Sequence, residues 1–159
     1  MISMTALGIH LKVADIEKSR AFYDALGFKR VNSFGPDMSS TVSYHGTIYQ
    51  IGESGLIEIA DAHELVPEEV WHAPIANAKV TLFVKVLSLI PVIEAARRHN
   101  IPIADDPRWF PWGTFEMTIH DPDKLWVVFV SQDSVENKEA LQQITQANVY
   151  RTEPDYSKQ

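Results

Sequence analysis

The chain has no cysteine, which excludes disulfides, thiolate metal sites and a cysteine nucleophile. Long apolar runs are missing too. Nothing approaches the roughly 18 consecutive apolar residues of a membrane-spanning helix, and no basic segment followed by an apolar core opens the sequence. Positive charge is scarce: 14 Lys and Arg face 21 Asp and Glu, for a formal charge of −7, and no basic cluster forms. Nucleic acid and membranes are therefore not expected partners, because phosphate binding needs Lys and Arg gathered on one face. A cytoplasmic location is expected. There is also no Gly-rich phosphate loop, nucleophile elbow or paired-His zinc motif.

What is present is ordinary in bulk and informative in pattern. The 159 residues, 45% hydrophobic and 22% charged, suffice for one well-packed domain. The acidic balance favours a cationic ligand, or simply keeps the protein soluble. Residues 6–27 read as a strand, a helix and a stop, and residues 79–100 read the same way. Asp15 and Ser88 fall where each helix needs an N-cap, and Gly27 and Asn100 where each needs a left-handed terminator. Both pairs are 73 residues apart. One architectural unit used twice is implied, with the cleft between copies as a natural ligand site.

Strand alternation puts Ile9, Leu11 and Val13 on one face, and Gly8, His10 and Lys12 on the other. The helix predicted over 15–26 carries Ser19, Phe22, Tyr23 and Leu26 on one stripe. Strands are expected at 28–33, 41–51 and 56–60. A polar, proline-bearing connector follows over 61–77, with one helical turn. The second run comprises a strand at 79–87, a helix at 88–99, a short strand at 101–104, and strands at 113–120 and 124–131. A single domain over 1–133, built of modules 5–60 and 78–131, would be followed by a helix at 134–150 and a disordered tail at 151–159.

Two stretches carry a resemblance. They are Val13-Ala-Asp-Ile-Glu-Lys-Ser-Arg-Ala-Phe-Tyr-Asp-Ala-Leu-Gly-Phe28 and Trp112-Gly-Thr-Phe-Glu-Met-Thr-Ile-His-Asp-Pro-Asp-Lys-Leu-Trp126. In order, and with the internal repeat, they resemble the vicinal oxygen chelate superfamily of glyoxalases, bleomycin resistance proteins and ring-cleaving dioxygenases. The closing stretch is most similar to the bleomycin-resistance branch, which binds its ligand without a catalytic metal. The resemblance implies an α+β fold, paired βαβββ modules whose curled mixed sheets enclose a cavity with helices outside, and often a homodimer. Metal-dependent members place a His on the first strand and a Glu on the last strand of each module. Transferred by spacing, those four positions are Gly8, Glu58, Thr81 and Val128, a set that lacks three of the four ligands. The closing motif also departs from the family, which usually continues Asp-Pro-Asp with Gly-Asn where this chain has Lys124-Leu125.

Alternation directs His10, Glu58, Phe83, Glu116 and Trp126 inward, and places Trp112 at the rim beside Gly113. These six are the candidate ligand-binding residues. Glu58 and Glu116 suit a ligand ammonium or a buried base, and equally suit pairing with Lys12 or Lys85. Trp126, Phe83 and Trp112 offer flat rings to a planar or cationic ligand, while Trp126 could instead fill core. His10, Glu58 and Glu116 are the remaining candidates for an atypical divalent site, and an inward His serves as readily as a hydrogen-bonded wall residue. His63, His72 and His99 have no assigned role. The first reading is an aromatic- or cation-binding protein with no cofactor. The second is a divergent lyase, isomerase or dioxygenase of the same superfamily with a divalent metal, and the third is a structural dimer whose cavity is plugged.

Overall fold

A computed structural model of the chain describes residues 7–38, 41–53, 55–75 and 78–145. They form two compact units, Met1–Ile75 with Pro122–Lys124, and Ala76–Asp121 with Leu125–Gln159.

The first unit runs β1 (Leu7–Lys12), α1 (Ile16–Ala25), β2 (Lys29–Phe34), β3 (Gly46–Ile51), β4 (Gly55–Ala60) and α2 (Glu68–His72). Its sheet has the order β1-β4-β3-β2, with β1 parallel to β4 and the other pairs antiparallel. The expected cap residue starts α1: Asp15 is extended and its side chain accepts from Lys18 N, which holds its carboxyl below the ordinary carboxylate range. Gly27, at φ 82°, turns the chain out of the helix. Phe22 and Tyr23 are buried as the stripe predicts, and the Tyr23 ring lies 5.1 Å from Phe28 and 5.5 Å from Tyr49. Each such ring contributes roughly 1.5–3 kcal/mol by leaving water.

Two polar groups within this core were not foreseen. Arg20 is only 6% exposed, and its guanidinium donates to Thr47 Oγ1 at 2.8 Å, to Gly46 O at 3.1 Å and to Glu17 Oε1 at 2.6 Å. Tyr49 is fully buried and donates to Asp24 Oδ1 at 3.1 Å. Burial, reinforced by the Asp24 charge, pushes its phenol up to about 12.

The second unit runs β5 (Thr81–Lys85), α3 (Ile90–Arg98), β6 (Ile103–Phe110), β7 (Thr114–His120), β8 (Trp126–Gln132) and α4 (Val135–Thr145). Its sheet repeats the topology, β5-β8-β7-β6, with β5 parallel to β8. Val92, Ile93 and Ala96 of α3 are buried together with Leu82, Phe115, Met117, Ile119, Leu125, Val127 and Phe129. α4 lies against α3, where it buries Leu141 and offers Ile144 O to Arg97.

Several boundaries differ from expectation for identifiable reasons. β3 begins at Gly46, not at 41, because His45 is tied through its ring and its N–H to Asp61 and through its other ring nitrogen to Asp37. Gly46 itself lies against the Phe34 ring, which a Cβ there would approach to 2.2 Å. β6 runs to Phe110 instead of stopping at 104. It is an edge strand with register shifts on both sides of Asp105, the irregularity through which a strand admits a residue such as Pro107. α3 starts at Ile90 with Leu89 as its cap, while Ser88 Oγ accepts from Ile90 N at 3.3 Å. The observed C-terminal helix ends at Thr145. The rest of the helix expected over 134–150, and the tail expected at 151–159, lie outside the described residues. Among the described residues no helix is long and apolar enough to cross a membrane.

Candidate functional site

Pairing registers fix what each sheet presents on the side opposite its helix-facing residues. In the first unit, His10, Glu58, Ile48 and Asn32 stand in one row across the four strands. Gly8, Leu56 and Gln50 form the row on one side of it, and Lys12, Ala60, Gly46 and Phe34 the row on the other. This face is built mainly of small and polar side chains. His10 Nδ1 lies 3.7 Å from Glu58 Oε1, with the histidine 63% and the glutamate 22% exposed. The separation permits an ionic contact and exceeds a good hydrogen bond.

In the second unit the corresponding rows are bulkier. Thr81, Trp126 and His120 form the first; Phe83, Val128, Thr118 and Asp105 the second; Lys85, Val130, Glu116 and Arg108 the third; and Gln132, Thr114 and Phe110 the fourth. Phe83 is 57% exposed. The Trp126 ring is half-buried and lies 5.3 Å from that of His120. His120 Nε2 is buried with no hydrogen-bond partner among the described residues. Trp112 occupies the turn after β6, where Gly113 adopts φ 82°, and stacks on Phe110 at 4.6 Å and 24°. Its Nε1–H donates to Glu116 Oε1 at 2.7 Å, and Thr114 Oγ1 donates to the same oxygen at 2.8 Å. The Arg108 guanidinium lies 4.9 Å from the Phe110 centroid. Trp109, which faces the helix side beside Phe115, donates from its indole to Asp133 at 2.7 Å.

The six candidates thus fall into two groups. His10 and Glu58 are neighbours in the first unit, while Phe83, Trp112, Glu116 and Trp126 share the second. Five of them stand on the strand faces that alternation assigns, and Trp112 stands in the turn beside Gly113. The bond from Trp112 to Glu116 joins a turn to a strand, and only the packing of the turn reveals it. His120 and Arg108 were not singled out as candidates, although alternation had turned His120 inward.

The donor set for a metal can be tested in register. Glu58 pairs with His10, two residues beyond Gly8, and Val128 pairs with Phe83, two residues beyond Thr81. The four positions are therefore equivalent between the sheets, and they supply one carboxylate and one hydroxyl. Divalent ions need several oxygen or imidazole donors converging within about 2–2.6 Å, so this set does not fit one. Among the described residues, no three His, Asp or Glu side chains are grouped to hold an ion.

At the Asp-Pro-Asp turn, Asp123 accepts from Ala14 N at 3.2 and 3.3 Å, and its carbonyl accepts from Ile75 N at 2.8 Å. Burial raises its carboxyl above the ordinary value. Lys124, standing where glycine is usual, adopts φ 71°.

Residues 7–42 match the family described as bleomycin resistance protein-like N-terminal. No curated protein matches the chain. Among solved structures, TnmS3, an antibiotic binding protein from Streptomyces sp. CB03234, is 16% identical with a TM-score of 0.61, over 83% of this chain and 98% of that one. A glyoxalase/bleomycin resistance protein/dioxygenase superfamily member from Sphaerobacter thermophilus is 17% identical with a TM-score of 0.60, over 82% and 98%. The fosfomycin resistance protein FosX from Listeria monocytogenes, in complex with Mn(II) and sulfate, is 16% identical with a TM-score of 0.55, over 87% and 99%. The chain has a glyoxalase-like fold, and its residues 7–42 are similar in sequence to the bleomycin resistance protein-like N-terminal family.

Proposed function

We propose that this chain is a small-molecule binding protein of the glyoxalase/bleomycin-resistance type that works without a catalytic metal. The observation that carries this reading is the donor set: Gly8, Thr81 and Val128 stand at three of the four ligand positions of the fold's metal-dependent members. Fold alone does not decide, since it serves an antibiotic binding protein in TnmS3 and a Mn(II)-bound resistance protein in FosX. The aromatic face of the second unit supports a planar ligand, with Phe83 exposed in the row next to Trp126 and Trp112 exposed at the β6–β7 turn, at the other end of the sheet. Stacking on such rings combines large buried area with defined geometry. A homodimer belongs to the same proposal and is checked by light scattering.

The test is metal analysis of the purified protein, followed by melting shifts across a panel of planar aromatics. No stoichiometric metal is expected, and at least one planar compound should raise the melting temperature. Trp126→Ala should then weaken that compound by roughly 1–3 kcal/mol. The 3.7 Å approach of His10 to Glu58 favours one competing reading, a divergent enzyme with an atypical metal at that pair. Stoichiometric zinc, nickel, iron or manganese that disappears in His10→Ala would install that reading in place of ours.

A further inference from the structure

We propose that Glu116 is a positioning residue for Trp112, whose indole it holds as a stacking surface, and that its charge is not what meets the ligand. This inference rests on the reading of the second unit's face as a planar-ligand site, and it narrows the ligand class. Glu116 Oε1 already accepts two hydrogen bonds, from Trp112 Nε1 at 2.7 Å and Thr114 Oγ1 at 2.8 Å. Phe110 supports one face of the same indole at 4.6 Å. A tryptophan has two side-chain torsions, and a stack plus a bond at Nε1 restrain both. Yet Trp112 stays 60% exposed. An aromatic side chain immobilised while still open to solvent has met the ordering cost before any ligand arrives, which is how preorganisation raises affinity.

The chemistry of the acceptor limits what can bind. A ligand ammonium drawn to Oε1 would compete with both donors and release the indole. The ligand class is therefore a planar aromatic recognised through its ring face, with no requirement for positive charge. A cationic ligand would have to use the other oxygen, Oε2, and the two cases respond differently to substitution. Glutamine keeps an acceptor for the indole N–H and removes the charge; alanine removes both.

The experiment titrates a matched pair of probes, naphthalen-2-ylmethanol and naphthalen-2-ylmethylammonium, into the full chain and into Glu116→Gln, Glu116→Ala, Trp112→Ala and the Glu116→Ala/Trp112→Ala double variant. The Gln variant should bind both probes about as well as the parent. The Ala variant should lose roughly 3- to 10-fold for both, the worth of one hydrogen bond, and that loss should vanish when Trp112 is also absent. Without any probe, the indole N–H resonance of Trp112 should shift and exchange faster in Glu116→Ala and stay in place in Glu116→Gln. Selective loss of the ammonium probe in Glu116→Gln would overturn the inference, as would a full-sized Glu116→Ala effect without Trp112 or an unmoved indole resonance in Glu116→Ala. If neither probe binds the parent, or Trp112→Ala changes neither affinity, the planar-ligand reading of the Trp112 end of this face fails instead. The indole resonance then still decides whether Glu116 positions Trp112.

Discussion

The two βαβββ runs share one topology and solve its local problems with different residues. Each needs a left-handed residue where its helix ends and another in the hairpin before its last strand. The first run uses Gly27 at φ 82° and Gly52 at φ 61°, and the second uses Asn100 at φ 55° and Lys124 at φ 71°. Interiors differ in the same way. Arg20, buried within a hydrogen-bond network in the first, is matched 73 residues later by the buried Ile93. Tyr49, opposite Ile57, is matched in register by Ile119, opposite Val127. At these matched positions the first run thus buries a hydrogen-bonded polar group and turns on glycine, while the second buries an aliphatic side chain and turns on Asn100 and Lys124. Topology is dictated by the alternation and the caps. What fills it is not.

The largest expected effect comes from the matched helix positions. Arg20→Ala leaves Gly46 O and Thr47 without their charged donor and should cost about 2–4 kcal/mol in urea unfolding. Ile93→Ala should cost a similar 2–5 kcal/mol through an apolar cavity. Only the Arg20 loss should be partly recovered by lysine, and equal recovery of both would break the distinction between the interiors. Tyr49→Phe comes next, at about 1 kcal/mol near neutral pH from the lost bond to Asp24. The tyrosine also brings a pH signature. Its folded state holds the proton up to about 12, against an ordinary 10.0, so its contribution is complete below pH 10 and is lost as pH rises toward 12. Tyr49→Phe should flatten that alkaline decline, and an unchanged decline would move its cause elsewhere.

At the turns the sign reverses. Lys124→Gly should stabilise by about 1 kcal/mol, because a Cβ is unfavourable in the left-handed region. Calorimetry that showed a loss would mean the lysine makes a compensating contact. The smallest contrast lies at the helix starts. Asp15 caps α1 from the N-cap position itself, whereas Ser88 reaches only Ile90 N from one residue further out. Asp15→Ala should therefore lower the melting temperature more than Ser88→Ala. Since bonding holds the Asp15 carboxyl low, its contribution is present above the ordinary carboxylate range and fades as pH falls through the folded value. Equal effects of the two substitutions at pH 7 would remove the contrast.

Residues that obey a period were the legible ones. Asp15, Gly27 and Asn100 stand at the helix ends where their chemistry predicts, and alternation along β1, β5, β7 and β8 found the inward faces. Interactions that join segments distant in sequence were not legible. Nothing in the helix period distinguishes Arg20 from an exposed arginine, because its partners lie on β3, 26 and 27 residues away. The late start of the strand expected at 41–51 is of the same kind, since it depends on Asp37 and Asp61 closing on His45. β6 runs past Pro107 to Phe110, beyond the short strand expected at 101–104, and the bulges that admit the proline have no sequence signal of their own. In the candidate site the six side chains could be proposed one by one, but the bond between Trp112 and Glu116 required the turn to be seen.

The attachment of the Pro122–Lys124 turn to the first unit has a consequence for the order of synthesis. The backbone N–H of Ala14 is paired with a carboxylate 109 residues downstream, so it stays without that partner while the ribosome adds the intervening chain, for roughly 5–20 seconds at ordinary elongation rates. The N-terminal unit can collapse early around Tyr23 and Ile57, yet it receives its last pieces only when β7 has been made and the chain turns toward β8. A newly made protein of this sequence therefore passes through a state with one half assembled and its closing turn still absent.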